Sequence, residues 1–194
     1  MDRMHDYLSQ FGFGEPTGLD LLGEKSGVLP SRPWKRGQFG EPWYPGETVI
    51  AGIGQGFNVV TPVQLANAIT TLANGGKRFS PRLLYAAKHA GNEKADKIRA
   101  PVVMQVPMSD PANWEIVKEG MRRVVHGAQG TARSIRQDDG LVVAGKSGTA
   151  QVVAQARDED MDEDTATHLR HHALFVAYAP FENPAIVVAT VVEN

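Results

Sequence analysis

The chain predicts a mixed α/β fold of the α+β type, an antiparallel sheet covered by helices. Three observations lead there. Residues 141–154, 172–179 and 185–192 are segments rich in Val and Ala, and Pro180-Phe-Glu-Asn-Pro184 separates the last two as a hairpin loop would. Two further segments, beginning at Thr61 and Asp110, repeat apolar residues at intervals of three and four behind capping residues, as amphipathic helices do. Both hairpin strands are nearly continuous in apolar residues, which calls for helices on both faces of the sheet.

Residues 2–11 read as a helix with Met4, Tyr7, Leu8 and Phe11 on one face and Gly12 as its stop. Residues 12–47 are loop-like, with Pro16, Pro30, Pro33, Pro42 and Pro45, and a loop of that length usually serves function. Trp34, Trp43 and Tyr44 either pin this loop to the domain, the simpler reading, or form an outer wall of a substrate cleft. Thr48 to Ile53 suggests a short strand, and Gly52-Ile-Gly54-Gln-Gly56 a tight turn after it; the G-x-G-x-x-G spacing is not met. Thr61 caps the next helix, Pro62 suits its first position, Gln64 completes a capping box, and Gly75-Gly76 ends it. Leu65, Ala66, Ile69, Leu72 and Ala73 form its expected buried stripe.

Residues 77–109 predict short extended pieces around a polar loop, Gly91–Lys97. A helix follows, capped by Asp110, started by Pro111 and closed by Gly127 and Gly130, with Trp114, Val117, Met121 and Val124 on one face. The Lys146 strand comes next. Six acids within residues 158–164 repel one another and predict a solvated, mobile excursion. His168, His171 and His172 follow it, but adjacent strand residues point to opposite faces, so no metal site is assigned.

With 194 residues, 42% of them hydrophobic, the chain suffices for one domain or part of a larger one. The net charge of −2 supplies no field for nucleic acid, which is not expected as a partner. Cysteine is absent, which excludes disulfides, thiol catalysis and cysteine-ligated metal. No run approaches the roughly 20 apolar residues of a membrane span, and no signal peptide is visible. No cofactor is expected.

Residues 144–152, Ala-Gly-Lys-Ser-Gly-Thr-Ala-Gln-Val, hold the densest chemistry. Lys146, Ser147, Gly148 and Thr149 place one cation, two hydroxyls and one missing side chain in succession on a predicted strand. Such an edge is suited to hold a carboxylate and, through its free N–H groups, a developing oxyanion. Strict alternation puts Ser147 and Thr149 on one face and Lys146 on the other, so Lys146 must reach round the edge or the strand must twist at Gly148. Gly140 to Ser147 also matches the phosphate-binding pattern G-x-x-x-x-G-K-[ST]. That loop needs a wrapping turn and a following helix, whereas Leu141, Val142, Val143 and Ala144 favour extended backbone and Gly148 falls where the helix would begin.

Lys146-Ser147-Gly148-Thr149-Ala150 resembles the Lys-Thr/Ser-Gly motif of penicillin-binding proteins and serine β-lactamases. Phe11-Gly-Phe-Gly14 with Thr17-Gly18-Leu-Asp20, Gly54-Gln-Gly56 followed by Thr61-Pro62-Val-Gln64-Leu65-Ala66, Gly130-Thr131-Ala132 and Phe175 to Pro180 resemble class B transpeptidases. The segment Lys35 to Tyr44 and the acidic insertion resemble the elongation-specific group of Gram-negative rods, penicillin-binding protein 2. The resemblance spans essentially the whole chain and implies a penicillin-binding/serine β-lactamase-like transpeptidase fold.

It also implies a reaction. A serine attacks the D-Ala–D-Ala bond of a peptidoglycan stem peptide, D-alanine leaves, and the acyl group passes to an amine of a neighbouring stem. Lys146 would be the catalytic cation, and Ser147 and Thr149 would bind the terminal carboxylate of stem peptide or β-lactam. Gly148 would let the substrate backbone lie against the strand. The Thr149 N–H would give half of the oxyanion hole. Yet none of Ser9, Ser26, Ser31, Ser80, Ser109, Ser134 and Ser147 has Lys three residues later or Asn two later, so the chain has no nucleophile. The expectation is a C-terminal portion of a transpeptidase domain, residues 1–194, lacking the upstream Ser-x-x-Lys and Ser-x-Asn motifs and a terminal helix. The implied partners are stem peptides, β-lactam antibiotics, a membrane-embedded cell-wall glycosyltransferase and proteins of the elongation complex. The implied location is the bacterial periplasm, with an anchor in the inner membrane outside residues 1–194. Three alternatives stay open: a P-loop nucleotide-binding protein built on Gly140–Ser147, a related D,D-carboxypeptidase or β-lactamase, and a non-catalytic interaction domain with a relict motif.

Overall fold

The computed structural model describes residues 1–91, 94–150 and 171–193. The expectations for the acidic run at 158–164, for His168 and for residues 151–154 of the Lys146 strand lie outside them. Helix α1 (Asp2–Ser9) opens the chain, two residues shorter than the pattern suggested. The region read as loop then contains α2 (Arg32–Phe39). Its signals are local: the Ser31 hydroxyl accepts from the Trp34 N–H at 3.1 Å, Pro33 sits in the first turn, and Gly40 ends the helix at φ 72°. The strand expected at 48–53 is instead helix α3 (Pro45–Gly52). The Glu47 carboxylate accepts from the Tyr44 N–H at 2.7 Å and Pro45 presets φ, so capping outweighs the β preference of Thr48, Val49 and Ile50.

Helix α4 (Pro62–Ala73) forms as predicted behind its capping box. Its most buried face differs from the expected stripe: Gln64, Asn67, Ala68, Thr71 and Ala73 are buried, while Leu65, Ala66, Ile69 and Leu72 are only partly so. The reason is Gln64. Its Nε2 donates to the Glu15 and Ser26 carbonyls, both at 2.7 Å, while its Oε1 accepts from the Thr61 N–H at 2.9 Å. One side chain thus ties the 15–26 loop to the helix start, and its burial is stabilising because its polar atoms are paired.

Strands β1 (Lys77–Phe79) and β4 (Val102–Gln105) pair antiparallel, as do β2 (Ala86–Ala87) and β3 (Asp96–Lys97). The last of these lies within the segment read as a polar loop. Helix α5 (Ala112–His126) follows, with the Asp110 carboxylate accepting from the Ala112 N–H at 2.9 Å. Trp114 and Met121 are buried as expected; Val125 rather than Val124 completes the face, and Val117 is exposed. Strands β5 (Ala144–Ala150), β6 (His172–Ala179) and β7 (Ile186–Val192) form one antiparallel sheet in that order. Residues 141–143 precede β5 rather than joining it. The Val142 carbonyl accepts from the Phe181 N–H at 2.9 Å and the Val143 N–H donates to His126 Nε2 at 3.1 Å, so their backbone pairs elsewhere.

Helices α4 and α5 pack on one face of this sheet, where Ala73, Met121, Ala144 and Tyr178 form a core with Val187. A second core joins Phe11, Ala68, Val106 and Trp114. The opposite sheet face is not covered among the described residues, contrary to the expectation of helices on both. Along β7 burial alternates strictly, and Ile186, Val188 and Val192 are 60%, 49% and 54% exposed.

Candidate functional site

Among the described residues, strand β5 is an edge of its sheet. Its start, Ala144 and Gly145, is buried, and beyond it Lys146, Gly148 and Thr149 are exposed and Ser147 is half-buried. In an antiparallel ladder the N–H and C=O of one residue point the same way, alternating between the partner strand and the free side. The Ser147 and Thr149 carbonyls both accept from side chains: Lys146 Nζ donates to the first at 2.5 Å and Gln55 Nε2 to the second at 2.8 Å. Both residues therefore turn their backbone to the open edge, and the Thr149 N–H points there too. The same bond answers how Lys146 is placed. Alternation sets it on the face of Ala144, toward the helices, and its ammonium folds round to the edge.

The loop after α5 supplies the far wall. The Ala132 N–H donates to the Val124 carbonyl at 3.0 Å, which folds the loop back on the helix. Thr131 Oγ1 then lies 3.2 Å from Ser147 Oγ, within hydrogen-bond distance. A cavity of about 470 Å³ separates this loop and α5 from β5, and Lys146, Thr131, Arg123 and Val124 line it. Both charged residues of that lining, Lys146 and Arg123, are cations. Arg123 is committed to Glu119, whose carboxyl is held at about 2 by hydrogen bonds from Arg122 first and then Arg123. Lys146 is the cation left facing the cavity.

The structure thus gathers Lys146, Ser147, Gly148 and Thr149 on one exposed edge. It adds two residues that sequence reasoning had assigned no role, Thr131 and Gln55. Each had a signal, since each sits in a segment that resembles class B transpeptidases, Gly130-Thr131-Ala132 and Gly54-Gln-Gly56. Trp34 and Trp43 pin their loop rather than wall a cleft. Both pack against Phe57, at ring-centroid distances of 5.3 and 6.4 Å, and Trp43 Nε1 donates to Thr48 Oγ1 at 2.9 Å. Beneath them Lys35, 2% exposed, pairs with Glu47 and lies 4.3 Å from the Tyr44 ring centroid. Burial works against the Lys35 charge, but the hydrogen bond and charge of Glu47, with Glu41 behind it, hold its ammonium above the ordinary lysine range. No group of three His, Asp or Glu side chains is placed to hold a metal ion among the described residues.

The P-loop reading fails on this geometry: Ala144–Ala150 is a strand, with no turn around Lys146 and no helix starting there. A model of the penicillin-binding protein transpeptidase domain matches residues 1–194. The chain belongs to this transpeptidase family. Among curated relatives, a peptidoglycan D,D-transpeptidase MrdA of Haemophilus influenzae is 40% identical over 196 residues, covering 100% of this chain and 30% of that protein. The Escherichia coli protein of the same name is 37% identical over 199 residues, again covering 100% of this chain and 30% of that protein. Among solved structures, Pseudomonas aeruginosa PBP2 in complex with WCK 5153 is similar with TM-score 0.77 and 45% identity, over 100% of this chain and 39% of that one. PBP2 from Helicobacter pylori in its complex with MreC gives TM-score 0.74 and 29% identity, over 99% and 32%. The transpeptidase-family chain therefore spans about 30% of the length of these curated relatives.

Proposed function

We propose that residues 1–194 are the C-terminal portion of a penicillin-binding peptidoglycan D,D-transpeptidase and supply the strand against which its substrate lies. The observation that carries this is the open edge of β5, with the Ser147 and Thr149 backbones turned outward and the Lys146 ammonium folded onto the edge. An extended D-Ala–D-Ala stem adds to such an edge as a further strand. In this reading Lys146 meets the negative charge that develops during attack, Ser147 and Thr149 bind the terminal carboxylate, and the Thr149 N–H stabilises the oxyanion. Thr131 holds the Ser147 hydroxyl in place.

The acylated serine and its lysine base lie in a Ser-x-x-Lys segment outside these residues. Serine attack releases D-alanine, and an amine of a second stem takes the acyl group and frees the serine. The uncovered apolar face of β7 supports placing this chain within a larger domain, since such a face is stabilised by burial. The reading extends to action in the periplasm, to inner-membrane anchoring, and to partnership with a cell-wall glycosyltransferase and elongation proteins. It also makes β-lactams covalent ligands of the complete protein.

The test is intact-mass spectrometry after incubation with benzylpenicillin. The full-length protein gains one penicilloyl group, and residues 1–194 alone gain none. Acylation of the 194-residue chain would overturn the assignment of the nucleophile. With a D-Ala–D-Ala stem and an amine acceptor, the full-length protein forms the cross-linked product; hydrolysis alone would make it a carboxypeptidase.

A further inference from the structure

We infer that Gln55 is a gate on the substrate edge of β5. Its carboxamide occupies the Thr149 carbonyl until an incoming amide N–H displaces it. The inference rests on the transpeptidase reading above and adds to it a residue that governs entry.

Three observations support the gate. The first is the bond itself: Gln55 Nε2 donates to the Thr149 carbonyl at 2.8 Å across 94 positions of chain. That carbonyl faces the free side of an edge strand, so it is the acceptor an added strand would use. A primary carboxamide presents the same donor chemistry as a peptide N–H, and the two compete for one acceptor. The second is the mounting of Gln55. Its neighbours Gly54 and Gly56 both have positive φ, 77° and 72°, a turn that residues with a Cβ adopt only at a cost. Its N–H donates to the Ile50 carbonyl at 3.1 Å, and its carbonyl accepts from Asn58 Nδ2 at 2.9 Å. Asn58 Nδ2 also reaches the Ala51 carbonyl at 3.3 Å. The backbone is thus held while the side chain is left as the part that turns. The third is exposure: the bond lies at the surface, where exchange for another donor is close to neutral. A bond of this kind is a poor brace and a good latch.

The gate has a chemical consequence. Ligands that bring an N–H to the Thr149 carbonyl compete with Gln55. Ligands that bring none have nothing to gain from its removal. The experiment measures acylation of the full-length protein by two β-lactams that share ring system and carboxylate. Benzylpenicillin carries an acylamino N–H, and penicillanic acid carries none. In Gln55→Ala the ratio of acylation rate constants, benzylpenicillin over penicillanic acid, rises about two- to tenfold, the worth of one exchanged hydrogen bond. The gain falls in the binding step, with the limiting acylation rate unchanged. Gln55→Asn, one methylene too short to reach, gives the same result while keeping the amide. Both variants melt at the wild-type temperature. A ratio that stays constant or falls in either folded variant overturns the gate. A wild-type protein that neither compound acylates removes the transpeptidase reading and the gate with it.

Discussion

Two glycines three positions apart on β5 separate folding from function. Gly145 is buried, and a Cβ built there would lie 2.7 Å from Phe175 Cζ and 2.9 Å from the Val176 carbonyl oxygen. The aromatic ring can swing, but the carbonyl belongs to the paired strand. Gly145→Ala therefore overpacks the sheet, at about 1–3 kcal/mol. At about 2–4 °C per kcal/mol for a chain of this size, the melting temperature falls by about 2–12 °C. Gly148 is exposed, and its Cβ would meet Leu174 Cβ at 3.4 Å, an ordinary contact. Nothing in the sheet asks for glycine there. Gly148→Ala should change stability by no more than about 0.5 kcal/mol. On the proposed function it obstructs the substrate's approach, and a displacement of about 1 Å costs on the order of 10² in rate. The assay pairs thermal melting of residues 1–194 with penicillin acylation of the full-length protein. If Gly148→Ala melts as low as Gly145→Ala, or is acylated at the wild-type rate, the reasoning about this edge is wrong.

Three other outcomes are expected. Lys146→Ala removes an exposed cation, so it leaves the melting temperature unchanged while slowing β-lactam acylation of the full-length protein by roughly 10²–10³; normal acylation would strip Lys146 of its role. Tyr178 is 1% exposed, and burial, with the Glu115 charge adding to it, pushes its hydroxyl up from 10.0 to about 12. The unfolded chain then loses this proton before the folded one, so stability is intact below pH 10 and falls by about 2–3 kcal/mol as pH rises toward 12. In Tyr178→Phe that alkaline loss is absent from urea titrations run across the same range. Thr61→Ala removes the hydroxyl that accepts from the Gln64 N–H at 3.2 Å and costs about 1 kcal/mol in the same titrations; an unchanged midpoint would show that the cap is idle.

What could be read in advance divides along physical lines. Strand β5 and helix α4 were legible because their determinants are local: β-branched neighbours for the one, Thr61, Pro62 and Gln64 for the other. Helices α2 and α3 had local determinants too, Ser31 with Gly40 and Pro45 with Glu47, but five prolines in 36 residues masked them as loop. The polar buried face of α4 was not legible, because the partners that make Gln64 burial favourable lie 49 and 38 positions away. The same holds at the edge of β5. Its residue types raised the expectation of a strand suited to a carboxylate and an oxyanion, whereas the approach of Thr131 to Ser147 and of Gln55 to Thr149 is a product of tertiary folding.

The aromatic cluster around Phe57 has an optical consequence. Two of the three tryptophans, Trp34 and Trp43, pack at an angle against that ring, two residues beyond Gln55, while Trp114 packs against Phe11 at 6.2 Å in the α4–α5 core. Emission from the first pair follows the environment of the loop that carries Gln55, and emission from Trp114 follows the core. On the proposed function, a Trp114→Phe protein therefore turns intrinsic fluorescence into a reporter of ligand arrival at the β5 edge, with no label attached.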